Sequence, residues 1–554
     1  MKKHNTIKII LGTALVCFLL TWIIDAAYYS TEFVNQGKVQ MGLFDLFSYS
    51  LTSLSYFGYI SLFIIVVGGF YGILYKIPAY RNMLDAMANK FKKFGILTIS
   101  IIMVLLAVIT SICGLQFGMF LFFPLIASLI LLMGYDKMVV ALTLVGSTMV
   151  GMIGTTYAFN NVVVINDTLG TSITDNILVK FAILVVALFL LILNTILYIK
   201  RNNSVKGNKK KVEAVSNIKE VEEDIVVEKI VEEVAPKKEK TNSKKSTTKS
   251  TAKSSTTKSS SKSSSTKSTA KSKKSTTKSK NNNKAAALDE EVIVIKNTED
   301  ETYLVPTSND TKTKSWPLII ALLILFVVMI LAFIPWNSVF GLDIMSDATE
   351  AVNGFKLFKF DLFAKLLGTY NTFGDWMITD MFFPMAFIVF LLSIIYNVKF
   401  DDILDGFAAG AKKALTPAMF VLLAYLVLVI NTYHPFQLNI YKFILGTADN
   451  FNIVTSAFAG IVSSILNVDP SYAFQAVLPY FNGTVTNTDI YPIAGILYQA
   501  MYGFSMLFAP TSIILMSTLS YLGLSFKEWF KGVWKLLVEL FIIILIICTI
   551  LVLL

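Results

Sequence analysis

Residues 146–161 read GSTMVGMIGTTYAFNN, and this stretch decides how the chain is interpreted. It ends an apolar run long enough to cross a bilayer, yet it contains three glycines, four serines and threonines, and two adjacent asparagines. This composition predicts a helix that breaks within the membrane, where the freed backbone is covered by protein or lines a wet cavity. Close packing of an unbroken helix through small residues is the alternative. The pair Asn160–Asn161 favours the break, since two amides near the end of a span need polar partners.

A second stretch of this kind covers residues 470–512. It includes part of the apolar run 490–523, which is too long for one straight crossing. Pro510 lies inside that run, and a proline within a helix removes a backbone hydrogen bond and bends or ends the helix. The sequence therefore predicts a second break. The alternative is a proline kink without a ligand, in which Thr511 and Ser512 bond the freed carbonyl group.

The composition of the whole chain indicates an integral membrane protein. Of its 554 residues, 55% are hydrophobic and 15% are charged, whereas soluble domains carry about 25% charged residues. Three cysteines lie in apolar runs, which is typical of small core residues, and the two histidines exclude a zinc enzyme. No nucleophile–base pair and no phosphate-binding glycine loop is visible in the sequence, so neither an enzyme nor an ATP-driven pump is predicted.

Apolar runs near 20 residues divide the chain into membrane halves at 1–199 and 316–554, around an insert at 200–315. We predict an all-α polytopic protein with about 11–12 membrane segments in two related halves and two re-entrant hairpins. Two pieces, 433–446 and 470–481, are too short to span and are predicted to be interfacial or re-entrant. The predicted spans are Ile7–Ile24, Tyr56–Tyr75, Gly95–Cys113, Leu115–Tyr135, Met138–Phe159, Phe181–Ile199, Trp316–Trp336, Ile378–Tyr396, Leu415–Asn431, Phe451–Leu466, Ile490–Gly523 and Val533–Leu554.

A four-residue echo relates the two halves. Phe-Asp-Leu-Phe occurs at residues 44–47 and again at residues 360–363, each time before a predicted span. Transporters are often built from such duplications. The predicted topology places both copies on the same side of the membrane, which favours parallel repeats over inverted ones. Chance similarity between membrane segments is the alternative.

The insert is basic and of low complexity. Residues 200–315 hold 27 basic and 16 acidic residues, which accounts for the whole formal net charge of +11. Residues 237–284 are almost entirely Lys, Ser, Thr and Ala and cannot form a core, so disorder is predicted. A helix at 212–236 and a strand at 292–295 are the candidate elements beside it. Because basic short loops face the cytoplasm, the N-terminus and the insert are placed there, in a protein of the cell membrane.

The two predicted breaks supply the candidate site. Half-helix N-termini present N–H groups to anions, while unwound carbonyl groups and hydroxyl groups hold cations. A central carboxylate is lacking, which favours Na⁺ over H⁺ as the coupling ion; no metal centre and no other cofactor is predicted. The predicted substrate-binding residues are Gly154, Thr155, Thr156, Asn160, Asn161, Ser471, Gln475, Gln499, Thr511 and Ser512. The predicted ion-binding residues are Ser147, Gly151, Gly503 and Pro510.

The same stretches resemble the YfcC-type carriers, which belong to the ion-transporter superfamily that also holds the anaerobic C4-dicarboxylate carriers. Residues 122–161 are similar to the family's Phe-x-Pro hairpin, Gly-x-Asp turn and glycine-rich break, and residues 470–531 to its second signature. The motifs at Gly42–Asp45 and Gly68–Phe70 agree as well, and the resemblance covers both membrane halves without the insert. It implies an α-helical secondary carrier whose two hairpins meet at a midplane site. The implied substrates are dicarboxylates or amino acids, moved by alternating access.

The sequence therefore predicts a secondary active transporter for a small carboxylate-bearing metabolite, coupled to a cation. Its expected partners are the small-molecule substrate, the lipid bilayer and a second copy in a homodimer. The alternative function is a membrane anchor whose segment 237–284 binds polyanions and so tethers nucleic acid, ribosomes or anionic lipid. A soluble spacer is the third interpretation of that segment.

Overall fold

The computed structural model describes residues 5–202, 312–368, 370–447 and 451–554. The predictions for the insert, including its disorder, its helix and its strand, lie outside these residues. The described part is almost entirely helical, and eight of its helices are long and apolar enough to cross a membrane. This confirms the predicted all-α polytopic membrane protein.

The first half contributes nine helices to the described part, of which the sixth and seventh are joined into one continuous helix by a π-helical turn at Leu142–Gly146. In chain order they are α1 (Asn5–Ile23), α2 (Leu43–Leu74), α3 (Pro78–Lys92), α4 (Ile96–Cys113), α5 (Phe123–Leu132), α6 (Lys137–Ala141), α7 (Ser147–Ile153), α8 (Phe159–Leu169) and α9 (Ile177–Asn202). A 3₁₀ turn at Gly118–Leu121 precedes α5.

The second half continues the series on the other side of the insert. Its helices are α10 (Trp316–Phe333), α11 (Ile344–Gly354), α12 (Leu362–Leu367), α13 (Phe382–Ile395), α14 (Phe400–Tyr433), α15 (Gln437–Leu445), α16 (Ile453–Leu466), α17 (Pro470–Thr484), α18 (Tyr491–Ser505), α19 (Ile513–Leu522) and α20 (Phe526–Leu553). 3₁₀ turns precede α13 and α18.

Two short β-hairpins, which the sequence analysis did not predict, interrupt the helical architecture. In the first, Ala26–Tyr29 (β1) pairs antiparallel with Phe33–Gly37 (β2). In the second, Lys356–Leu357 (β3) pairs antiparallel with Phe360–Asp361 (β4). Each hairpin lies in a connection between long apolar helices, where the backbone has no helical partners of its own.

Two series of helices correspond to each other, α2–α9 and α14–α20. Each series contains a long helix, a short helix, a hairpin of two helices, a helix that is broken along its length and a second long helix. The first members run antiparallel, because Ser53 Oγ donates to Leu422 O at 2.9 Å and Ser61 Oγ to Ala418 O at 3.1 Å. The repeats are therefore inverted.

The Phe-Asp-Leu-Phe echo does not mark the repeat. Its first copy lies at the start of α2, whereas its second copy runs from β4 into α12, and these elements do not correspond in the two series. The parallel arrangement that the echo favoured is wrong. Four residues carry too little information to align two membrane halves, and the order of long, short and broken helices carries more.

The hairpins differ from the predicted spans. Gly114 has φ +67° and turns the chain back after α4, so the predicted spans 95–113 and 115–135 are two arms of one hairpin, which we call hairpin 1. Residues Asn467–Asp469 turn the chain between α16 and α17, which form hairpin 2. The predicted span 451–466 is thus its first arm, and the predicted re-entrant piece 470–481 begins its second.

Hairpins 1 and 2 open toward opposite ends of the bundle. We call the end that contains Asn202 the proximal end, and the end that contains Tyr29 the distal end. Asp136, which follows hairpin 1, accepts a hydrogen bond from Tyr198 of α9 at 3.0 Å near the proximal end. Tyr480 of hairpin 2 packs edge-on against Tyr29 at the distal end. This arrangement is what inverted repeats require.

Small residues allow α2 and α14 to cross in close contact. A Cβ atom added to Gly72 would lie 2.0 Å from the carbonyl oxygen of Gly406, and one added to Gly410 would lie 2.0 Å from that of Gly68. One large hydrophobic cluster combines buried side chains from both halves. Exposed apolar side chains cover α1, α9, α10 and α20, as expected for helices that face lipid.

Candidate functional site

The first predicted break is present between α7 and α8, at residues 154–158. The tip of hairpin 1 covers it: Ser111 Oγ donates to Gly154 O at 2.6 Å, and Ser111 O accepts from Thr156 N at 3.0 Å. The Thr155 hydroxyl donates to Met152 O at 3.0 Å. The backbone groups that the break frees are thus partly satisfied within the protein.

The second predicted break lies between α18 and α19, at residues 506–512. The tip of hairpin 2 covers this break, as the tip of hairpin 1 covers the first, because Thr511 Oγ1 donates to Ile465 O at 2.8 Å. Ser512 caps α19 by accepting a hydrogen bond from Leu515 N at 3.4 Å. Both breaks therefore lie beside the tip of the hairpin in their own repeat, and both open a new helix N-terminus within the buried part of the molecule.

Direct contacts join the first break to α18, the helix that precedes the second break, across the repeats. Gln499 of α18 donates from Nε2 to Thr155 O at 3.0 Å. One turn later, a Cβ atom on Gly503 would lie 2.5 Å from Ile153 N, so α18 crosses the end of α7 without space for a side chain. Gln116, at the tip of hairpin 1, lies beside the Tyr502 hydroxyl. Hence the two halves meet at the first break and at the helix that leads into the second.

The structure brings Gln499 to the predicted residues of the first break and buries Thr511 and Ser512 at the second break, although it does not test their binding role. Thr155, Thr156, Gln499, Thr511 and Ser512 are at most 4% exposed. Asn161 is also buried, and its amide contacts Met152 Sδ at 3.2 Å. Gly154 packs against Leu184 of α9. The Asn160 side chain lies outside what the structure describes.

Two predicted substrate-binding residues lie on a different surface from the breaks. Gln475 is exposed on α17, and Ser471 is half-buried at the start of that helix. Their position follows from the correction to hairpin 2, since α17 is one of its arms and turns only its inner face toward α16. None of the cavities described is lined by residues of both breaks.

The predicted ion-binding residues fall into two groups. Gly151 and Gly503 support close helix packing: a Cβ atom at Gly151 would lie 2.5 Å from Ala107 O, which is the packing alternative described for the first stretch. Ser147 is fully buried and its hydroxyl has no hydrogen-bond partner in the described part. Pro510 lies half-buried in the second break. Their role in binding an ion stays a prediction.

A carboxylate that the sequence analysis missed lies at the tip of hairpin 2. Asp469 caps α17, and its Oδ1 accepts from Ser471 N at 2.9 Å. Tyr425 of α14 lies 3.5 Å from its Oδ2. The interpretation that the chain lacks a central carboxylate is therefore wrong. The residue sits between an apolar run and Pro470, where its sequence reads as an ordinary helix cap.

A buried cation was missed as well. Lys180 of α9 is 6% exposed and is the one lysine, arginine or acidic residue among the buried side chains that the structure describes. It donates to Ile173 O at 2.7 Å. With Asn166, Ser172 and Gln499 it lines a small cavity of about 10 Å³ at the distal end. Gln499 links this cavity to the first break.

The comparison with protein families gives a match along nearly the entire chain. The model of the DcuC family, described as the C4-dicarboxylate anaerobic carrier, matches residues 4–238 and 278–553. The match extends into both ends of the insert, which the resemblance had excluded, and leaves out residues 239–277. No curated protein and no solved structure matches the chain. A multi-pass membrane protein whose two halves meet at their broken helices is consistent with the family, and the chain belongs to the DcuC family of C4-dicarboxylate anaerobic carriers.

Proposed function

We propose that this protein is a secondary active transporter that moves a small carboxylate-bearing metabolite across the cell membrane by alternating access, driven by a cation gradient. The substrate class that its family favours is a C4-dicarboxylate, such as succinate, fumarate, malate or aspartate. The observation that carries the proposal is the contact between two inverted, broken helices through Gln499 and Thr155. Inverted repeats that meet at interrupted helices are typical of carriers with a midplane site.

The breaks suit an anionic substrate. Both α8 and α19 begin where a break ends, so the positive end of each helix dipole lies at a break within the buried part of the molecule. A carboxylate at each end of a C4-dicarboxylate matches two such termini. Lys180 adds a formal positive charge on the distal side of the same interface.

In this proposal the substrate approaches through the two ends of the bundle in turn. The N-terminus and the insert face the cytoplasm, because Lys76, Arg81 and the lysines of α3 cluster at the proximal end. The distal end, with the first β-hairpin and Lys180, then faces outward. A homodimer and an insert that contacts polyanions remain further parts of the proposal, independent of the site.

Reconstitution tests the function directly. Purified full-length protein in liposomes is expected to take up labelled succinate against its gradient when a gradient of H⁺ or Na⁺ is imposed. The double variant Thr155→Ala with Ser512→Ala removes a hydroxyl from each break and is expected to lose this uptake. Thr195→Ala is the matched control, since its hydroxyl bonds a carbonyl within α9, away from both breaks.

The uptake experiment has a clear negative result. Wild-type protein that moves none of the C4-dicarboxylates and none of a panel of amino acids, under either gradient, would contradict the proposed function. Equal loss of uptake in the double variant and in the Thr195→Ala control would instead contradict the placement of the site at the breaks.

A further inference from the structure

Asp469 lies where the two repeats and both hairpin tips meet. It belongs to the turn of hairpin 2, and the Tyr502 hydroxyl of α18 donates to the neighbouring carbonyl of Val468 at 2.7 Å. The same tyrosine lies beside Gln116 at the tip of hairpin 1. The carboxylate is therefore one residue away from a contact that connects the two tips.

Tyrosines from four elements lie near enough to the Asp469 carboxylate to interact with it, and Tyr425 Oη is 3.5 Å from its Oδ2. They are Tyr59 of α2, Tyr425 of α14, Tyr472 of α17 and Tyr502 of α18, and each interacts electrostatically with it. Over the described part of the chain, no lysine, arginine or histidine forms an ion pair with Asp469. The backbone N–H groups of Ser471 and Tyr472 and the hydroxyl groups of Tyr425 and Ser471 hydrogen-bond this carboxylate. Its burial without a counter-charge nevertheless makes the ionised form costly, which favours uptake of a proton or a cation.

We call these four tyrosines the tyrosine shell; two of them are exposed and two are buried. Tyr59 is 45% exposed and Tyr472 is 38% exposed, whereas Tyr425 and Tyr502 are each 1% exposed. Asp469 thus lies at the border between an outer face and the interface of the halves. The outer face also carries Gln475, and a polar side chain there is better suited to water than to acyl chains.

We propose that Asp469 carries the coupling proton of this transporter. It takes a proton from the solution on one side of the membrane, its neutral acid form allows the shell to close, and the proton leaves to the other side after the halves rearrange. This inference rests on the proposed function. It assigns the coupling ion as H⁺, and it names a carboxylate and its tyrosine shell as the group that binds it.

The alternative role for Asp469 is that of a structural helix cap. Asn and Ser cap helices about as well as Asp, so Asp469→Asn keeps the cap and removes the titrating acid. Asp136→Asn is the matched control, because Asp136 also caps a helix, accepting from Val139 N at 3.0 Å, but lies at the proximal end. Asp469→Glu retains an acid and serves as the conservative variant.

The experiment measures two activities of the full-length protein in liposomes. The first is exchange of labelled for unlabelled succinate without any ion gradient, and the second is succinate-dependent proton flux, followed with a pH dye trapped in the vesicles. Asp469→Asn is expected to retain exchange and to lose the proton flux to the level of empty liposomes. Asp136→Asn is expected to retain both, and Asp469→Glu is expected to retain proton flux with a shifted pH profile.

The outcomes separate this inference from the function itself. Proton flux that persists in Asp469→Asn would overturn the inference, and so would wild-type uptake that follows Na⁺ without proton movement; the transporter function would stand in both cases. Loss of exchange in both Asp469→Asn and Asp469→Glu would assign a structural role to the residue and overturn the inference as well. Wild-type protein without any exchange would overturn both.

Discussion

The side-chain amide of Gln499 donates a 3.0 Å hydrogen bond to the carbonyl oxygen of Thr155, across the interface between the two inverted repeats. The acceptor is free because the helix is interrupted at Gly154, and the donor lies on the helix that is interrupted in the other repeat. The contact is buried, with Gln499 4% and Thr155 1% exposed. One bond therefore couples the position of each broken helix to that of its counterpart.

Gln499→Met is expected to destabilise the protein and to reduce transport. Methionine fills a similar volume but leaves the Thr155 carbonyl without its donor, and a buried unsatisfied group costs about 1–3 kcal/mol. Thermal unfolding in detergent measures the stability, and succinate uptake measures the function. Gln475→Met is the control, since Gln475 is exposed on α17. Equal effects of the two variants on stability and uptake would contradict a role for the hydrogen bond across the repeats.

Gly72→Ala is expected to separate α2 from α14. The added Cβ atom would lie 2.0 Å from the carbonyl oxygen of Gly406, and a clash with backbone cannot be relieved by rotating a side chain. Overpacking of this kind costs about 1–3 kcal/mol, and more where backbone must move. Gly12→Ala in α1 is the control, because nothing lies within 4 Å of its added atom. A melting temperature unchanged by Gly72→Ala would contradict the described crossing.

The sequence was sufficient for features that depend on local composition. The breaks at 154–158 and 506–512 could be predicted because glycine, proline and hydroxyl-bearing residues within an apolar run are typical of an interrupted membrane helix. Apolar runs near the thickness of a bilayer likewise predicted most long helices. The start of α2 at Leu43 was missed, since its first turns contain Asp45 and several serines that read as a loop.

Features that depend on the direction of the chain could not be predicted. The apolar residues on either side of Gly114 do not indicate that the chain turns back there. The two arms of hairpin 1 were therefore predicted as separate spans. Asp469 and Lys180 were missed for the same reason. Each lies next to a helix end in the sequence, and only the packing of distant elements shows that the first enters a tyrosine shell and the second is buried.

Deletion of residues 239–277 is expected to leave transport unchanged. The family model matches the chain on both sides of this stretch and leaves the stretch itself out, so the stretch is not part of what the family shares. Succinate uptake by the deletion variant in liposomes tests this expectation. The anchor function predicts a different result in cells, where the variant would lose its localisation or its association with polyanions. Lost uptake by correctly inserted protein would contradict a spacer role for the stretch.

Lys180→Met is expected to weaken substrate binding more than it slows turnover. Lys180 supplies a positive charge at the distal end of the interface, and its Nζ donates to Ile173 O at 2.7 Å. It lines the small cavity that Gln499 also lines, together with Asp175, with which it interacts electrostatically. A hydrogen bond to a charged group contributes about 1.5–3 kcal/mol. The KM for succinate should therefore rise roughly tenfold or more.

The control for this change is Lys365→Met, because Lys365 is an exposed lysine on α12. A series of ligands sharpens the comparison: the loss of affinity should be larger for succinate than for a monocarboxylate of the same length, since the dianion has more charge to pair with the ammonium group. Uptake kinetics at several substrate concentrations separate KM from the maximal rate. A lower maximal rate at unchanged KM would mean that Lys180 positions α9 and does not bind the anion.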